Sequence, residues 1–220
     1  MLVLHYTGME SAEAALDRLC DPAAEVSAHY LLDEAGRVVQ LVDEERRAWH
    51  AGRASWRGET DINGASIGIE LANPGHELGP APYPEAQMEA LIGLARGIVA
   101  RHAIAPRDIV GHSDVAPARK QDPGEWFDWA ALARAGLGLW PAPAASRGRP
   151  LRRGDAGEDV ERFQAALATY GYGLVADGRF GTATRQVVEA FQRHFRSARI
   201  DGVADRETLD CLAGLMTLLD

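Results

Sequence analysis

The spacing of apolar residues divides the chain into two parts. Through the first 140 residues, short apolar runs typical of strands alternate with longer segments of helical spacing. This pattern predicts an α/β fold in which helices flank a mixed central β-sheet. The predicted strands cover residues 2–6, 28–32, 37–42, 66–71 and 109–111. The predicted helices cover residues 11–20, 84–102 and 128–135, and Ser11 is placed to cap the first of them.

A segment rich in proline, alanine and glycine, residues 141–150, follows the first part. It has no apolar periodicity, which is typical of a semi-extended linker. Helical periodicity then returns over residues 158–170, 182–195 and 206–218 and predicts a small three-helix domain. A weak repeat in this part consists of an Asp-Gly pair followed by a threonine, at 177–184 and again at 201–208. We therefore predict domains at 1–140 and 151–220, with 141–150 as the linker.

Charge and composition exclude several classes of protein. The formal net charge of −9 disfavours a nucleic-acid partner, because binding to a phosphate backbone needs clustered cations. No apolar run is long enough to span a membrane, and no export signal precedes the first predicted strand. The sequence predicts a monomer in the cytoplasm, or in the periplasm or cell wall if the N-terminus is trimmed. Cys20 and Cys211 are predicted to be free, mostly buried thiols.

Ionisable residues stand at the ends of three predicted strands. His5 and Glu70 end two of them, and His112 follows the last one. His112 opens the turn-rich segment 111–124, which also contains Lys120 and Asp122. Strands that lie side by side would bring these residues to one edge of the sheet. Two histidines and one carboxylate, with a fourth position left for water, are typical of a catalytic zinc site.

The two remaining residues of this group suit hydrolysis of a carbonyl compound. Glu70 could take a proton from water and pass it to a leaving amine. Lys120 could stabilise the oxyanion that forms when water adds to a carbonyl group. The alternative is that each residue is an unrelated polar strand end, although a carboxylate in an apolar strand is costly to bury without a partner.

Five motifs occur in one order along the first 135 residues. They are His5-Tyr6-Thr7, Ser27-Ala28-His29-Tyr30, Trp49-His50-Ala51-Gly52, Ser66-Ile67-Gly68-Ile69-Glu70 and the segment 111–124. This series closely resembles the zinc-dependent N-acetylmuramoyl-L-alanine amidases related to peptidoglycan-recognition proteins. The resemblance implies one Zn²⁺ per chain held by His5, His112 and Asp122, with Glu70 and Lys120 as catalytic residues. It also implies cleavage of the amide between N-acetylmuramic acid and L-alanine, in peptidoglycan or in (anhydro)muropeptides.

Other residues near these motifs are predicted with less direct roles. His50, Trp49 and Tyr30 are candidate substrate contacts, and His29 is expected to be structural. Trp56 could stack on sugar or peptide, or pack at the rim of the site. The other histidines are expected to be solvated: His76, His102 and His194.

The second part resembles the peptidoglycan-binding domain found beside many wall hydrolases. The matching residues include Asp177-Gly178-Arg179-Phe180-Gly181 and Asp201-Gly202, which supply turns and core residues. The resemblance implies wall binding. Two other functions compete with the amidase interpretation: a non-catalytic peptidoglycan-recognition protein, and a zinc peptidase that acts on stem peptides.

Overall fold

The computed structural model describes residues 1–79, 81–142, 144–145 and 148–219. A mixed five-stranded sheet forms the centre of the first part, in the order β3-β2-β4-β1-β5. The strands are β1 (Leu2–Tyr6), β2 (Tyr30–Leu32), β3 (Val38–Gln40), β4 (Ile67–Leu71) and β5 (Ile109–Gly111). Strand β1 pairs in parallel with β4 and β5, β2 pairs in parallel with β4, and β3 is antiparallel to β2.

Helices surround this sheet and make up the second part. They are α1 (Ala12–Cys20), α2 (Ile62–Ala65), α3 (Gly75–Leu78), α4 (Glu85–His102), α5 (His112–Val115), α6 (Trp129–Arg134), α7 (Glu158–Tyr170), α8 (Thr182–Phe195) and α9 (Arg206–Met216). Two short 3₁₀ turns cover Pro22–Ala24 and Pro106–Asp108. The longest helix, α4, buries Leu91, Ala95 and Ile98 against apolar side chains of the sheet.

The mixed sheet flanked by helices confirms the predicted fold class. Every predicted strand is present, although β2 and β3 are shorter than predicted at 28–32 and 37–42. The Ser11 side chain caps α1, since its hydroxyl oxygen accepts a hydrogen bond from the Ala14 amide at 3.1 Å. The sequence missed α2, α3 and α5, because helices of four residues are too short to show a period.

The weak repeat of the second part, which we call the helical region (residues 151–219), has a structural cause. The Gln164 side chain donates hydrogen bonds to Asp177 Oδ1 and Thr184 Oγ1 and accepts one from the Gly178 amide. Gln192 makes the same contacts with the second copy of the repeat, at Asp201, Thr208 and Gly202. Each Asp-Gly turn is thus tied to the helix before it and the helix after it by one buried glutamine.

One apolar core continues from the sheet into the helical region. Trp56 is 1% exposed, and its ring lies 5.1 Å from the ring of Tyr170 and 5.3 Å from that of Tyr172. The two backbones also approach closely there, because a Cβ atom on Gly171 would lie only 2.6 Å from the Trp56 ring. Trp56 therefore packs between the two parts of the chain. The suggestion from the sequence that it stacks on a substrate was wrong, because its ring is buried.

The connection between the two parts lies against α9. The amide of Ala144 donates to the Asp210 carbonyl at 3.0 Å, and Pro141 is buried. Three residues of the predicted linker, Pro143, Ser146 and Arg147, lie outside the described residues.

Two further features concern the cysteines and the membrane. Cys211 is buried as predicted, but Cys20 is exposed at the end of α1, so the prediction of burial was wrong there. No described helix combines the length and the apolar character needed to cross a membrane.

The shared core predicts that the sheet and the helical region unfold together. Trp56→Ala should lower the free energy of unfolding by about 3–5 kcal/mol, as for other buried tryptophans. Trp49→Ala, at a side chain 56% exposed, should change it by less than about 1 kcal/mol. Urea unfolding followed by fluorescence and circular dichroism tests this. Two separate transitions, of which only one shifts in Trp56→Ala, would contradict a common core.

Candidate metal centre and active site

The strand register brings the predicted site residues to one edge of the sheet. His5 and Glu70 are direct partners in the parallel pair of β1 and β4, so their side chains lie on the same face. The last pair between β1 and β5 joins Leu4 to Gly111, and His112 follows immediately as the first residue of α5. The carboxyl ends of three parallel strands therefore present His5, Glu70 and His112 together.

Two histidines and one aspartate form a buried triangle at this edge. His5 Nδ1 and His112 Nδ1 lie 2.9 Å apart, and each lies 3.0 Å from Asp122 Oδ2. All three residues are at most 5% exposed. They are the one group of histidine, cysteine or acidic side chains among the described residues that could hold a metal ion.

The other ring nitrogen of each histidine is fixed by a hydrogen bond. His112 Nε2 lies 3.0 Å from the Ala51 carbonyl and must carry the proton, because a carbonyl can only accept. Nδ1 is therefore the His112 nitrogen that can offer a lone pair to a metal ion. A carbonyl in this position is a common partner for a metal-binding histidine.

A chain of hydrogen bonds assigns the tautomer of His5 in the same way. Ser66 Oγ donates its hydrogen to the Ile62 carbonyl. His50 Nε2 lies 3.3 Å from Ser66 Oγ and must therefore be the donor in that second bond. His50 Nδ1 then accepts from His5 Nε2 at 3.0 Å, which leaves His5 Nδ1 with its lone pair. Gly68 makes room for this arrangement, because a Cβ atom there would lie 2.5 Å from the His50 ring. His50 thus contacts the metal-ligand candidate His5.

Burial and charge fix the ionisation of this cluster. Burial, together with the neighbouring His112, lowers the pKa of His5 to about 4, so its ring is neutral at pH 7. Burial and the nearby His5 likewise hold the pKa of His50 well below its usual value. Burial opposes ionisation of Asp122, but the neighbouring His112 and His5 hold its pKa below the usual range. The triangle thus offers the two Nδ1 atoms that the hydrogen bonds leave uncovered, together with one carboxylate.

Glu70 has a different environment on the neighbouring strand. Its Oε2 atom is shielded from solvent and has no hydrogen-bond partner among the described residues. Burial and the charge of Asp122 raise the pKa of Glu70 well above its usual value, against the opposing charge of Lys120. A shielded carboxyl group with an unpaired oxygen, placed beside a candidate metal site, is suited to carry a proton.

These residues line a cavity of about 670 Å³ that opens to solvent. Lys120 lines it from the segment 111–124, and His50 lines it next to His5. Trp49 lines the same cavity and is 56% exposed, so its ring is accessible to a ligand. The structure therefore brings all the candidate site residues except one to a single cavity.

The exception is Tyr30. The register pairs Tyr30 with Ile69 and Leu31 with Glu70, so Tyr30 lies on the face of the sheet opposite to Glu70. Its hydroxyl donates to Glu44 at 2.6 Å, and it lines a separate surface pocket. The structure gives Tyr30 no contact with the cavity, because alternate residues of a strand face opposite sides.

The remaining histidines have partners. His29 uses both ring nitrogens on backbone groups, the Arg46 carbonyl and the Gly68 amide, which agrees with a structural role. His102 is exposed as predicted, and its Nε2 atom lies 2.7 Å from Glu44 Oε2. The prediction that His194 is solvated was wrong, because it is 2% exposed and its Nδ1 atom lies 2.7 Å from Asp114. Its spacing from Val187 and Phe191 on one face of α8 was the signal that could have shown this.

The sequence analysis also missed a second series of hydrogen-bonded side chains at the cavity. The Tyr6 hydroxyl lies 3.0 Å from His76 Nδ1, and His76 Nε2 lies 2.9 Å from Glu125 Oε2. His76 lines the cavity and is 23% exposed at its side chain, so it is not simply solvated. The three residues are far apart in sequence, and no local pattern indicated that they meet.

Comparison with known protein families matches both parts of the chain. Residues 1–125 match the model of the N-acetylmuramoyl-L-alanine amidase family. Residues 156–212 match the model of a putative peptidoglycan binding domain. The chain is 41% identical over 223 aligned residues to the N-acetylmuramoyl-L-alanine amidase AmiD of Escherichia coli, an alignment that covers 94% of this chain and 79% of AmiD.

Solved structures agree along almost the whole chain. The complex of E. coli AmiD with the substrate anhydro-N-acetylmuramic acid-L-Ala-D-γ-Glu-L-Lys superposes with a TM-score of 0.86 and 38% identity, covering 99% of this chain and 88% of AmiD. AmpDh3 of Pseudomonas aeruginosa, in complex with anhydromuramic pentapeptide, gives a TM-score of 0.83 and 30% identity, covering 100% of this chain and 91% of AmpDh3. The chain therefore belongs to the family of N-acetylmuramoyl-L-alanine amidases, enzymes that hydrolyse the amide bond between N-acetylmuramic acid and L-alanine.

Proposed function

We propose that this amidase is zinc-dependent and that His5, His112 and Asp122 hold one Zn²⁺ per chain. The single observation that carries the proposal is the buried triangle of two histidine nitrogens and one carboxylate oxygen, in which the hydrogen bonds leave both Nδ1 lone pairs free. Two neutral imidazoles and a carboxylate are ligands that Zn²⁺ prefers.

The dimensions of the triangle support the same ion. Ligand atoms about 2.0 Å from a tetrahedral zinc are roughly 3.3 Å apart. The three ligand atoms here are 2.9–3.0 Å apart, so they need to move by only a few tenths of an ångström. All three residues line the cavity, which leaves the fourth ligand position for water or substrate. Bound there, zinc would supply a Lewis acid that polarises the scissile carbonyl and lowers the pKa of water.

We propose Glu70 as the general base and then the general acid. Its position beside His5 in the register places the carboxylate next to the ligand triangle. Its raised pKa brings proton exchange closer to neutral pH, where one group can both accept a proton from water and deliver it to the leaving amine. The unpaired Oε2 atom is free to make that contact.

Lys120 is proposed to stabilise the negative charge that develops on the carbonyl oxygen. It lines the cavity together with Glu70, and its positive charge acts on both Glu70 and His5. Removing one such donor from an active site commonly reduces kcat by about 10²–10³-fold. The turn at 116–120, where the Lys120 amide donates to the Ala116 carbonyl at 3.1 Å, holds this residue near the cavity.

The proposed substrate is a muropeptide fragment, including the anhydro form. AmiD and AmpDh3, which match this chain along nearly its whole length, were solved with anhydromuramic peptides. Trp49 is proposed to contact the substrate from the rim of the cavity. His50 is proposed to orient His5, with which it shares a hydrogen bond. The location, in the cytoplasm or in the periplasm or cell wall, stays a prediction.

We also propose the division into a catalytic domain at 1–140, a linker at 141–150 and a peptidoglycan-binding domain at 151–220. The two family matches, at 1–125 and 156–212, fall on either side of the proposed linker and support it. The monomeric state stays a prediction.

Removal of a ligand tests the metal site. His112→Ala should lose stoichiometric zinc and with it the activity, because two ligands rarely retain the ion. His102→Ala, at the far end of α4, should keep one zinc per chain. Elemental analysis of the purified proteins measures this. A wild-type protein that takes up no zinc would refute the proposal.

Glu70→Gln tests proton transfer without changing the shape of the side chain. Zinc should stay bound, while kcat falls by about 10²-fold or more because the amide cannot accept the proton. Glu77→Gln is the matched control, since Glu77 lines the same cavity from α3 and has no role in the proposed mechanism. Turnover of Glu70→Gln near the wild-type rate would show that another group carries the proton.

The product distinguishes this activity from its competitors. Mass spectrometry of an anhydro-muropeptide digest should show a free peptide that begins with L-alanine and an intact anhydro sugar. Cleavage within the stem peptide would instead identify a peptidase. Binding without any product would identify a recognition protein.

A further inference from the structure

The helical region reaches the metal-ligand segment through a buried carboxylate. Asp114 is 0% exposed and lies two residues after His112, within α5. Its side chain accepts hydrogen bonds from the Gly111 amide at 2.8 Å, the Tyr172 hydroxyl at 2.7 Å and His194 Nδ1 at 2.7 Å. The first of these bonds fixes the backbone on the N-terminal side of His112. The other two come from the helical region.

These two donors are needed because a buried carboxylate is costly unless it is hydrogen-bonded. We call residues 1–140 the sheet region. Within it, the Gly111 amide is the only described hydrogen-bond donor to the Asp114 side chain. Tyr172 and His194 complete its set of partners, and both are at most 2% exposed. The Asp114 carboxylate, in the segment that carries His112, therefore has all its hydrogen-bond donors only when the helical region packs against that segment.

Aromatic stacking holds the His194 ring in this position. The ring lies 3.7 Å from that of Trp129 at an angle of 17°, and 4.0 Å from that of Phe195 at 11°. Trp129 belongs to the sheet region and Phe195 to α8, so the His194 ring lies between the two parts of the protein. A ring clamped on both faces can offer its donor in one direction only.

The residue before His194 reaches the other side of the site. Arg193 Nε lies 3.9 Å from Glu125 Oε2, three residues beyond the ligand candidate Asp122. Glu125 is in turn the partner of His76, which contacts Tyr6 beside His5. Two consecutive residues of α8 thus contact carboxylates next to both ligand positions of the segment 111–124.

We propose that the helical region is a positioning element of the catalytic centre, in which Tyr172 and His194 act through Asp114 to hold His112 in its metal-binding orientation. The proposal rests on the proposed zinc site. It adds a role for the helical region that does not depend on binding to polymeric peptidoglycan. Tyr172, His194 and Asp114 are positioning residues, because they touch neither the metal position nor the substrate cavity. The helical region should therefore be required even for small soluble muropeptides.

Substitutions at His194 separate the hydrogen bond from the packing. His194→Phe keeps an aromatic ring for the stack but removes the donor to Asp114. His194→Asn loses the stack but keeps an amide donor close to the position of Nδ1. Tyr172→Phe removes the second donor with very little change in shape.

The readout is the zinc dissociation constant of the metal-free, full-length protein, measured by competition with a chromophoric chelator. We expect His194→Phe and Tyr172→Phe to weaken zinc binding by about tenfold each, the low end for groups that orient metal ligands. His194→Asn should stay within about threefold of the wild type. Turnover of a soluble anhydro-muropeptide at limiting zinc should follow the same order.

The matched control is Thr208→Val, which disturbs the glutamine contact of the second repeat and has no described contact with residues 111–124. It should lower the melting temperature and leave the zinc affinity unchanged. Equal zinc affinity in all variants, or weaker binding in His194→Asn than in His194→Phe, would overturn the proposal while the zinc site itself stands. Only a wild type without zinc would refute the proposed function as well.

Discussion

The parallel pairing of β1 with β4 and β5 is the constraint on which the site depends. It places His5 beside Glu70 and brings His112 to the same edge, although His5 and His112 are 107 positions apart in sequence. Because paired residues of parallel strands face the same way, no loop has to bridge the distance between the candidate base and the candidate metal ligand. A shift of β4 by one residue would turn Glu70 to the opposite face and leave the cavity without its proposed proton carrier.

The second requirement is that each ligand has its proton in the right place. The Ala51 carbonyl settles this for His112, and the chain from His5 through His50 to Ser66 settles it for His5. Both are consequences of buried hydrogen bonding, in which a carbonyl oxygen can only accept. The geometry of the candidate metal centre therefore extends well beyond its three ligands, into residues that line or support the cavity.

Much of this could be predicted from the sequence because the signals were local. The alternation of apolar runs with segments of helical periodicity, such as α4, predicted the fold class. The ionisable residues at strand ends predicted the group of candidate site residues. Tyr30 shows where such reasoning fails, because its distance from the site is set by register and not by its neighbours in sequence. Trp56 and His194 show a second reason, since both are buried by contacts between the two parts of the chain. A pattern within one segment cannot reveal the surface on which that segment will pack.

The close approach of Gly171 to Trp56 has a consequence for how the two parts cooperate. A seam with no room for a Cβ atom is a rigid joint, unlike the flexible tether that joins many binding modules to enzymes. With a tether, the effective concentration of a captured substrate at the active site depends on the length of the chain between them. Here the separation between any ligand of the helical region and the cavity is set by the fold. Capture of a substrate by the helical region would therefore accelerate cleavage only where the dimensions of the substrate match that fixed distance.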